Sequence, residues 1–372
     1  MNLNIALLPG DGIGPEVTAQ AVKCLQAVEE TFNHQFRYEE APIGAVAIDR
    51  FNTPLPKKTL EICKTSDAIL LGAIGDLKYD TDPTAKVRPE QGLLELRKEL
   101  GLFANIRPVN TFSSLLEKSP LKKEIIQNTN FIIYRELTGG IYFGEKKLNE
   151  AGTLASDLCE YSEKEISRIA HLAFKAAKNR NGKLCLVDKA NVLESSRLWR
   201  KVVSKIGESY PEVELSFLFV DNAAMQLILN PGQFDVILTE NMFGDILSDE
   251  ASVIGGSIGL LASSSVGEDN ALFEPIHGSY PQAKGKDIAN PVAAILSATM
   301  LLEHFGLYEE AMSVREAVDK SLRKGIVTSD LDSKSSYGTN QVGDFIADNI
   351  VDKDGSFTMN DENIDLGKST II

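Results

Sequence analysis

The sequence predicts an α/β protein large enough for two domains. Short runs of β-branched and aliphatic residues alternate along the chain with longer segments in which apolar residues recur at helical spacing. This pattern is typical of a largely parallel sheet covered by helices. The chain has 372 residues, 43% of them hydrophobic, which suits one large domain or two of ordinary size. No repeat or linker marks a boundary between domains in the composition.

Six strands are predicted from short apolar runs that end in polar or glycine-containing segments. They cover residues 4–8, 67–74, 131–137, 183–188, 215–221 and 235–240. Helices are predicted where apolar positions recur at i, i+3, i+4 and i+7. They cover residues 15–32, 91–101, 163–179, 193–207, 244–255, 290–306 and 309–325.

The turn GDGIGPE after the first strand differs from a dinucleotide-binding Rossmann loop. That loop has the spacing G-x-G-x-x-G, with its third glycine inside the helix. Here Gly10, Gly12 and Gly14 are followed by Pro15, which suits the first turn of a helix because its missing N–H costs nothing there. Asp11 lies inside the turn, where its charge is a poor neighbour for a pyrophosphate. The spacing therefore predicts a tight turn near a ligand, and not a phosphate cradle.

Charge and cysteine content narrow the class of protein. The chain has 38 Lys and Arg against 53 Asp and Glu, a net charge of −15, which disfavours a nucleic-acid partner because such partners need a basic face. The cysteines form no C-x-x-C pair and are expected to be reduced. The apolar run at 291–302 is too short to cross a membrane, and we expect no signal peptide. The predicted location is the cytoplasm.

One predicted helix carries an unusual mixture of side chains on a single face. These side chains are Glu90, Leu93, Leu94 and Arg97. The mixture suits a small ligand that has both an alkyl group and a carboxylate, because arginine binds carboxylates with two parallel hydrogen bonds. Arg107 and Arg135 are candidates to complete a cationic pocket. The alternative is a half-buried amphipathic helix whose Arg97 reaches water.

Paired carboxylates on a later helix are candidates for a cation site. Asp245 and Asp249 are spaced i, i+4, so their like charges destabilise the helix unless something compensates. Mg²⁺ or Mn²⁺ would compensate, because both prefer hard oxygen ligands. Asp221, at the end of the predicted strand 215–221, is the candidate third ligand. The alternative is a solvated acidic face.

Three further residues stand at positions where α/β proteins often carry chemistry. Lys189 follows a predicted strand and is a candidate base; the alternative is an ordinary surface lysine. Tyr142 lies between glycines and is either a general acid or a buried aromatic. His277 lies in a loop of Gly, Pro and small polar residues, which suits a ligand loop better than a core.

Taken in order, these segments and their neighbours resemble the 3-isopropylmalate dehydrogenases of the isocitrate and isopropylmalate dehydrogenase family. The resemblance spans residue 5 to about residue 345. The matching segments are GDGIGPEV, RPEQGLLELRKELGLFANIRP, RELTGGIYFG, DKANVLESSRLWR, VDNAAMQL, ENMFGDILSDEASVIGGSIGLL and FEPIHGSYPQAKGKDIANP.

The resemblance implies a fold that is not a Rossmann fold: a mixed ten-stranded sheet, parallel and antiparallel, shared by two domains. Residues 1–103 and 256–372 would form a discontinuous cofactor-side domain, with 350–372 as a polar tail. Residues 104–255 would form the domain for dimerisation, metal and substrate. The resemblance also implies a homodimer whose active sites are completed across the interface, so that Lys189 and Asp221 come from the partner subunit.

The resemblance further implies a metal-assisted, NAD-dependent oxidative decarboxylation. Arg97, Arg107 and Arg135 would clamp the malate part of the substrate. Asp221, Asp245 and Asp249 would hold Mg²⁺ or Mn²⁺, with Asp221 also at the substrate. Lys189 would take the hydroxyl proton and Tyr142 would protonate the product enolate.

Substrate choice in the family depends on the helix face that includes Glu90. Leu93 and Leu94 favour an isopropyl group over a third carboxylate, whose desolvation would go uncompensated. The alternatives are a related decarboxylating dehydrogenase acting on tartrate, D-malate, homoisocitrate or isocitrate, and a non-catalytic regulatory subunit. The regulatory role is disfavoured because the Lys, the Tyr and the metal carboxylates are all present.

The cofactor residues are also implied by the resemblance, with one departure. They are Ile13, Glu274, His277, Gly278, Ser279, Gln282, Ala283, Asn290 and Asp330. Gln282 stands where the family usually has an Asp that binds the adenosine ribose and repels a 2′-phosphate, and Lys284 is nearby. NAD is expected, with a smaller margin over NADP than is usual.

Overall fold

A ten-stranded mixed sheet forms the centre of the molecule. The computed structural model describes residues 1–81 and 86–351. The strands are β1 (Asn2–Gly10), β2 (Gln35–Glu40), β3 (Ala68–Ala73), β4 (Ala104–Asn110), β5 (Asn130–Glu136), β6 (Lys146–Leu148), β7 (Ala155–Asp157), β8 (Lys183–Asp188), β9 (Glu214–Phe219), β10 (Val236–Thr239), β11 (Ala262–Val266) and β12 (Ala271–Pro275). Strands β6 and β7 form a separate antiparallel hairpin.

Two parallel blocks of strands run in opposite directions within the sheet. The strand order is β2-β1-β3-β12-β11-β4-β5-β10-β8-β9. Strands β2, β1, β3 and β12 are parallel, as are β5, β10, β8 and β9. Strands β11 and β4 join the blocks through antiparallel pairs. The expected mixed α/β sheet is therefore confirmed.

Helices cover both faces of this sheet. They are α1 (Gly14–Phe32), α2 (Ala45–Phe51), α3 (Lys57–Thr65), α4 (Leu77–Asp80), α5 (Pro89–Glu99), α6 (Lys123–Ile126), α7 (Glu163–Asn179), α8 (Glu194–Gly207), α9 (Val220–Leu229), α10 (Asn241–Ser252), α11 (Val292–His304), α12 (Tyr308–Arg323) and α13 (Thr339–Ala347). Among the described residues, no helix is both long and apolar enough to cross a membrane.

The two faces of the sheet are packed differently. On one face, a single apolar cluster continues under both blocks and includes residues of α1, α7, α8 and α11. The other face carries two separate clusters. One joins β1 and β3 to α3 and α5, and the other joins β5 and β10 to α9 and α10. The sheet between these two clusters is free to carry polar side chains.

Strand register brings polar residues into that gap. Asn105 on β4 pairs with Arg135 on β5 and, on its other side, with Ser265 on β11. Ser263 pairs with Glu274 on β12. Because paired residues and residues two apart share a face, the side chains of Glu274, Asn105 and Arg135 lie on the same face of the central sheet.

Some predicted elements have different bounds in the structure, and some observed elements were not predicted. The strand predicted at 215–221 ends at Phe219, and Asp221 lies in the first turn of α9. Strands β2, β4, β11 and β12 were not predicted, because their polar, proline-containing or serine-rich sequences lack a clear apolar run. Of the polar tail predicted at 350–372, residues 352–372 lie outside the described residues.

Candidate active site

Arg107 and Arg135 project from the neighbouring strands β4 and β5 and are both buried. Arg107 donates through Nε to Asn105 Oδ1 at 2.8 Å and through Nη1 to Ser248 Oγ at 2.6 Å. The same Nη1 lies 2.9 Å from Asp249 Oδ1. The guanidinium is thus held by two neutral oxygens and one carboxylate.

Arg135 is held in a similar way by α10. Its Nε and Nη2 both donate to Asn241 Oδ1, at 3.1 and 2.8 Å, and its Nη1 donates to Asp245 Oδ1 at 2.5 Å. Burial lowers the pKa of Arg135 to about 10, with Asp245 acting in the opposite direction. Arg135 therefore remains charged at neutral pH.

Tyr142 reaches the same carboxylate from a short 3-10 helix, Gly140–Tyr142. Its hydroxyl donates to Asp245 Oδ2 at 2.9 Å, and its side chain keeps 40% of its surface exposed. Partial burial and the Asp245 carboxylate raise the pKa of Tyr142. The phenol is therefore protonated at neutral pH and faces an accessible space.

Helix α5 carries the mixed face that was predicted from spacing. Its buried side is formed by Pro89, Gly92 and Leu96, which leaves the predicted face partly accessible. Leu93 packs at the edge of the β1–β3 cluster. Leu94 is 40% exposed.

Two charged residues of this helix lie near predicted cofactor residues. Arg97 Nη2 lies 2.7 Å from Glu274 Oε1 on β12. Glu90 and Ser279 lie on either side of Gly75, where a Cβ would stand 3.2 Å from Glu90 Oε1 and 3.3 Å from Ser279 Oγ. The predicted substrate helix therefore lies beside the predicted cofactor residues.

The three arginines are electrostatically coupled. Burial lowers the pKa of Arg107, and the positive charge of Arg97 lowers it further, although Asp249 and Asp245 oppose both effects. Arg97 and Arg107 act on Arg135 in the same direction. The structure thus brings together the three arginines predicted for a cationic pocket, from α5, β4 and β5.

Lys189 and Asp221 form a second group. Lys189 Nζ lies 2.5 Å from Asp221 Oδ1, and this ion pair lowers the pKa of the exposed Asp221. Within the described part of a single chain, no three His, Cys, Asp or Glu side chains are close enough together to hold a metal ion. The three predicted metal ligands are therefore divided between α10, with Asp245 and Asp249, and α9, with Asp221.

One predicted cofactor residue, Ser279, contacts the opening turn. Ile13 N donates to Ser279 O at 2.8 Å. A Cβ on Gly12, whose φ is +57°, would stand 2.0 Å from the same carbonyl oxygen, so only glycine fits there. Asn290 Nδ2 donates to Asp330 Oδ2 at 3.0 Å. The turn and the loop around residue 279 are therefore packed against each other.

The rest of that loop is more open. His277 Nε2 is buried and has no hydrogen-bond partner among the described residues, and burial lowers the pKa of this imidazole. A Cβ on Gly278 would meet no atom within 4 Å. Gln282 and Lys284 are exposed, whereas Ala283 is buried.

Asp11 has a structural role in the opening turn. Its buried carboxylate accepts hydrogen bonds from the backbone amides of Ala45, Val46 and Gly75 at 2.8 to 3.0 Å. The carboxylate that argued against a phosphate-binding loop therefore binds backbone amides, two of them at the start of α2. A cavity of about 690 Å³ also adjoins this turn, but none of the predicted clamp, acid or base residues lines it.

Three residues that hold the arginines were not predicted: Asn105, Asn241 and Ser248. Asn241 has no local pattern that distinguishes it, because its partner Arg135 is distant in sequence. Asn105 lies only two residues from its partner Arg107 on β4, and this i, i+2 spacing on a strand is a local signal for it. Ser248 offered a signal, since it lies on α10 between Asp245 and Asp249. A search for neutral acceptors beside the predicted carboxylates would have found it.

Comparison with known proteins finds the same family that the sequence segments resemble. The isocitrate/isopropylmalate dehydrogenase family model matches residues 4–346. A 3-isopropylmalate dehydrogenase of Bacteroides fragilis is 53% identical, over 94% of this chain and 99% of its own length. The enzyme of that name from Bacillus subtilis is 54% identical, over 92% and 95%.

A solved structure agrees in fold. The crystal structure of isocitrate dehydrogenase from Methylococcus capsulatus is 34% identical, with a TM-score of 0.85 over 94% of this chain and 99% of that one. The resemblance drawn from the sequence segments is confirmed by these matches. The chain belongs to the isocitrate/isopropylmalate dehydrogenase family.

Proposed function

We propose that the chain catalyses the NAD-dependent oxidative decarboxylation of (2R,3S)-3-isopropylmalate to 4-methyl-2-oxopentanoate and CO₂, a step in leucine biosynthesis. One observation carries the proposal: Arg107, Arg135 and Tyr142 converge on the carboxylates of Asp245 and Asp249. Relatives named 3-isopropylmalate dehydrogenase, at 51–54% identity, support the choice of substrate.

The substrate is held by charge at one end and by apolar contact at the other. Arg97, Arg107 and Arg135 bind its carboxylates, since guanidinium groups match them with paired hydrogen bonds. Leu93 and Leu94 receive the isopropyl group. A third carboxylate at the leucines would lose its hydration without gaining a partner, which disfavours isocitrate and homoisocitrate.

Two residues move protons in the proposed reaction. Lys189 takes the proton of the substrate hydroxyl as the C2 hydrogen leaves as hydride. Tyr142 donates a proton to the enolate that remains after CO₂ has left. The raised pKa of Tyr142 supports this role, because the phenol stays protonated until the enolate forms.

The carboxylates suit a divalent cation. Asp245 and Asp249 present carboxylate oxygens one helical turn apart, which are the hard ligands that Mg²⁺ and Mn²⁺ prefer. The side chain of Asp249 is 65% exposed, so this carboxylate is accessible to a cation. Asp221 would complete the ligands and also contact the substrate. When bound, the cation supplies Lewis-acid stabilisation of the charge that develops during decarboxylation.

The loop near His277 suits NAD. The buried Nε2 of His277 lacks a partner and the space beside Gly278 is open, both of which fit a bound polar group. Ile13, Glu274, Ser279, Gln282, Ala283, Asn290 and Asp330 would line it. When bound, NAD⁺ accepts the hydride. Gln282 offers a hydrogen bond to the ribose but no charge against a 2′-phosphate.

A homodimer explains the separation of Lys189 and Asp221 from the arginines. We place these two residues in the partner's active site. Large apolar side chains are exposed on the hairpin and on α9 and α10, as expected of an interface: Leu148, Leu154, Met225, Leu229, Ile246 and Val253.

The proposed domain of residues 104–255 contains all of them, and residues 1–103 with 256–372 form the cofactor-side domain. The cytoplasm remains the proposed location.

A substrate panel tests the function. NADH absorbance is followed with 3-isopropylmalate, isocitrate, homoisocitrate, tartrate and D-malate, with and without a chelator. We expect 3-isopropylmalate to have the highest kcat/KM and the chelator to abolish turnover. A higher kcat/KM with any of the other acids would overturn the substrate assignment, and no turnover with any acid would favour the regulatory role.

Subunit complementation tests the shared site. The variants Lys189→Met and Tyr142→Phe are each expected to be inactive. In a mixed dimer with Lys189 donated by the partner, one site carries both changes and the other carries neither. An equimolar mixture that reassembles at random should therefore regain about a quarter of the wild-type activity. If Lys189 acts within its own chain, the mixture stays inactive.

A further inference from the structure

Asn241 is a buried polar residue at the centre of the proposed site that neither the substrate nor the proton chemistry uses. It is the first residue of α10, and none of its surface is exposed. Its Oδ1 accepts from both Nε and Nη2 of Arg135, and its Nδ2 donates to Gly139 O at 3.1 Å. Arginine only donates and a carbonyl only accepts, so the side-chain amide has a single orientation.

The two contacts of Asn241 lead to two parts of the proposed chemistry. Arg135, held at Nε and Nη2, directs Nη1 toward Asp245. Gly139 immediately precedes the 3-10 helix that carries Tyr142, whose hydroxyl contacts the other oxygen of Asp245. One side chain therefore links the clamp arginine to the backbone of the acid-bearing turn.

The position of Asn241 is itself set by the core. Its backbone N–H donates to Tyr161 Oη at 2.9 Å, and that hydroxyl donates to Glu240 Oε2 at 2.9 Å. Glu240 caps α10 by accepting from Phe243 N. Tyr161 packs edge-on against the buried Trp199, with ring centroids 5.4 Å apart. These contacts leave Asn241 little freedom to move.

The chemistry of the amide also matters. An acceptor is needed for Nε and Nη2, because an unpaired buried guanidinium is costly. A carboxylate at this position would supply that acceptor but would be a second negative charge on Arg135, which already pairs with Asp245 through Nη1. A neutral amide satisfies Nε and Nη2 without adding that charge.

We propose that Asn241 is a positioning residue that orients Arg135 and the Tyr142 turn as one unit for an anionic substrate. This inference rests on the proposed function and deepens it. The residue touches no substrate itself. Its contribution is expected in the binding of the acid, through Arg135, and in the proton transfer, through Tyr142.

The test compares Asn241→Ala with a matched buried variant, Thr239→Val. Thr239 is buried on β10 and donates to Val187 O, so its replacement perturbs the same region without removing a contact of Arg135. Asn241→Ala should raise the KM for 3-isopropylmalate roughly tenfold or more and lower kcat, as loss of a charged hydrogen bond predicts. The KM for NAD should stay within about twofold. Thr239→Val should change neither KM.

A double-mutant cycle identifies the route. If Asn241 acts through Arg135, Asn241→Ala should have little further effect on the KM for the acid in an Arg135→Lys background. The isosteric Asn241→Asp keeps the acceptor but adds a negative charge, so it should also raise this KM, and it carries the test if the alanine variant does not fold.

The outcomes separate this inference from the proposed function. A wild type that turns over none of the acids defeats the proposed function before any variant is made. An active wild type with an unchanged KM in Asn241→Ala, or with equal effects in Asn241→Ala and Thr239→Val, overturns the positioning role alone. Additive effects in the cycle overturn the route through Arg135.

Discussion

Lys189 Nζ lies 2.5 Å from Asp221 Oδ1, and 65% of the Asp221 side chain and 27% of the Lys189 side chain are accessible to solvent. An ion pair that is open to solvent on one side contributes little to the free energy of unfolding, because water screens its charges. A contact that contributes so little to stability is consistent with the proposed chemical role of both residues in a partner's active site.

Replacing Lys189 with Met should therefore separate activity from folding. Loss of the base is expected to lower kcat by on the order of 10² to 10⁴, while the free energy of unfolding changes by less than about 1 kcal/mol. Steady-state kinetics and urea unfolding measure the two effects. Near-wild-type kcat in a folded variant would refute the role of Lys189 as base.

Asp249→Asn should weaken the binding of Mg²⁺ without unfolding the protein. Its side chain is exposed, and its recorded partner is Arg107, so stability should change little. The amide loses the charge that a hard cation prefers. We expect the Mg²⁺ concentration for half-maximal activity to rise roughly tenfold or more. The same Mg²⁺ dependence as the wild type would exclude Asp249 as a ligand.

Leu94 should control the preference for an alkylated malate. It is 40% exposed on α5, so Leu94→Ala creates no core cavity. We expect kcat/KM for 3-isopropylmalate to fall roughly tenfold or more through lost apolar contact, with little change for D-malate, which lacks the isopropyl group. The exposed neighbour Glu95 supplies the control, since Glu95→Ala should affect neither acid. Equal losses for both acids would argue against the pocket.

Gln282 and Lys284 should determine how strongly the protein prefers NAD over NADP. Both side chains are exposed, so both can reach a ligand without rearrangement of the core. We expect wild type to prefer NAD by ratio of kcat/KM, and Gln282→Asp to increase that ratio about tenfold through repulsion of the 2′-phosphate. Lys284→Gln should act in the same direction. A wild type that prefers NADP tenfold or more contradicts the assignment.

The buried pair of Glu303 on α11 and Arg315 on α12 predicts a pH-dependent stability. Arg315 Nε lies 2.9 Å from Glu303 Oε1. Burial raises the pKa of Glu303, and Arg315 opposes that rise. Arg315→Leu should cost about 3–5 kcal/mol of unfolding free energy, because it removes one partner of a buried ion pair.

The sign of the pH effect follows from the raised pKa. A carboxyl whose folded pKa exceeds its unfolded pKa contributes stability below the unfolded pKa and loses it as the pH rises through the folded pKa. The cost of Arg315→Leu should therefore grow from pH 5 to pH 8 in urea unfolding. The double variant Glu303→Gln, Arg315→Leu should lack this growth. An equal cost at both pH values would show that ionisation of Glu303 does not contribute to the cost of losing Arg315.

Local patterns in the sequence were sufficient for some of the site. The i, i+4 spacing of Asp245 and Asp249 and the mixed face of α5 depend only on helical periodicity, and both lie on helices in the structure. The G-x-G-x-G-P spacing likewise excluded a Rossmann loop, because the third glycine is missing where the helix needs it. The family resemblance added the roles of these residues.

The tertiary structure decided what depends on contacts between distant segments. Asn241 became recognisable only when the placement of α10 brought it to Arg135. Asn105 and Ser248 lie close in sequence to predicted site residues, but only the structure shows that both contact Arg107. The ends of β9 and α9 placed Asp221 in a helix instead of a strand. Sequence periodicity describes which face a residue occupies, whereas its partner is set by long-range packing. That is why the helix faces that carry the candidate site residues were predictable and the hydrogen bonds between those residues were not.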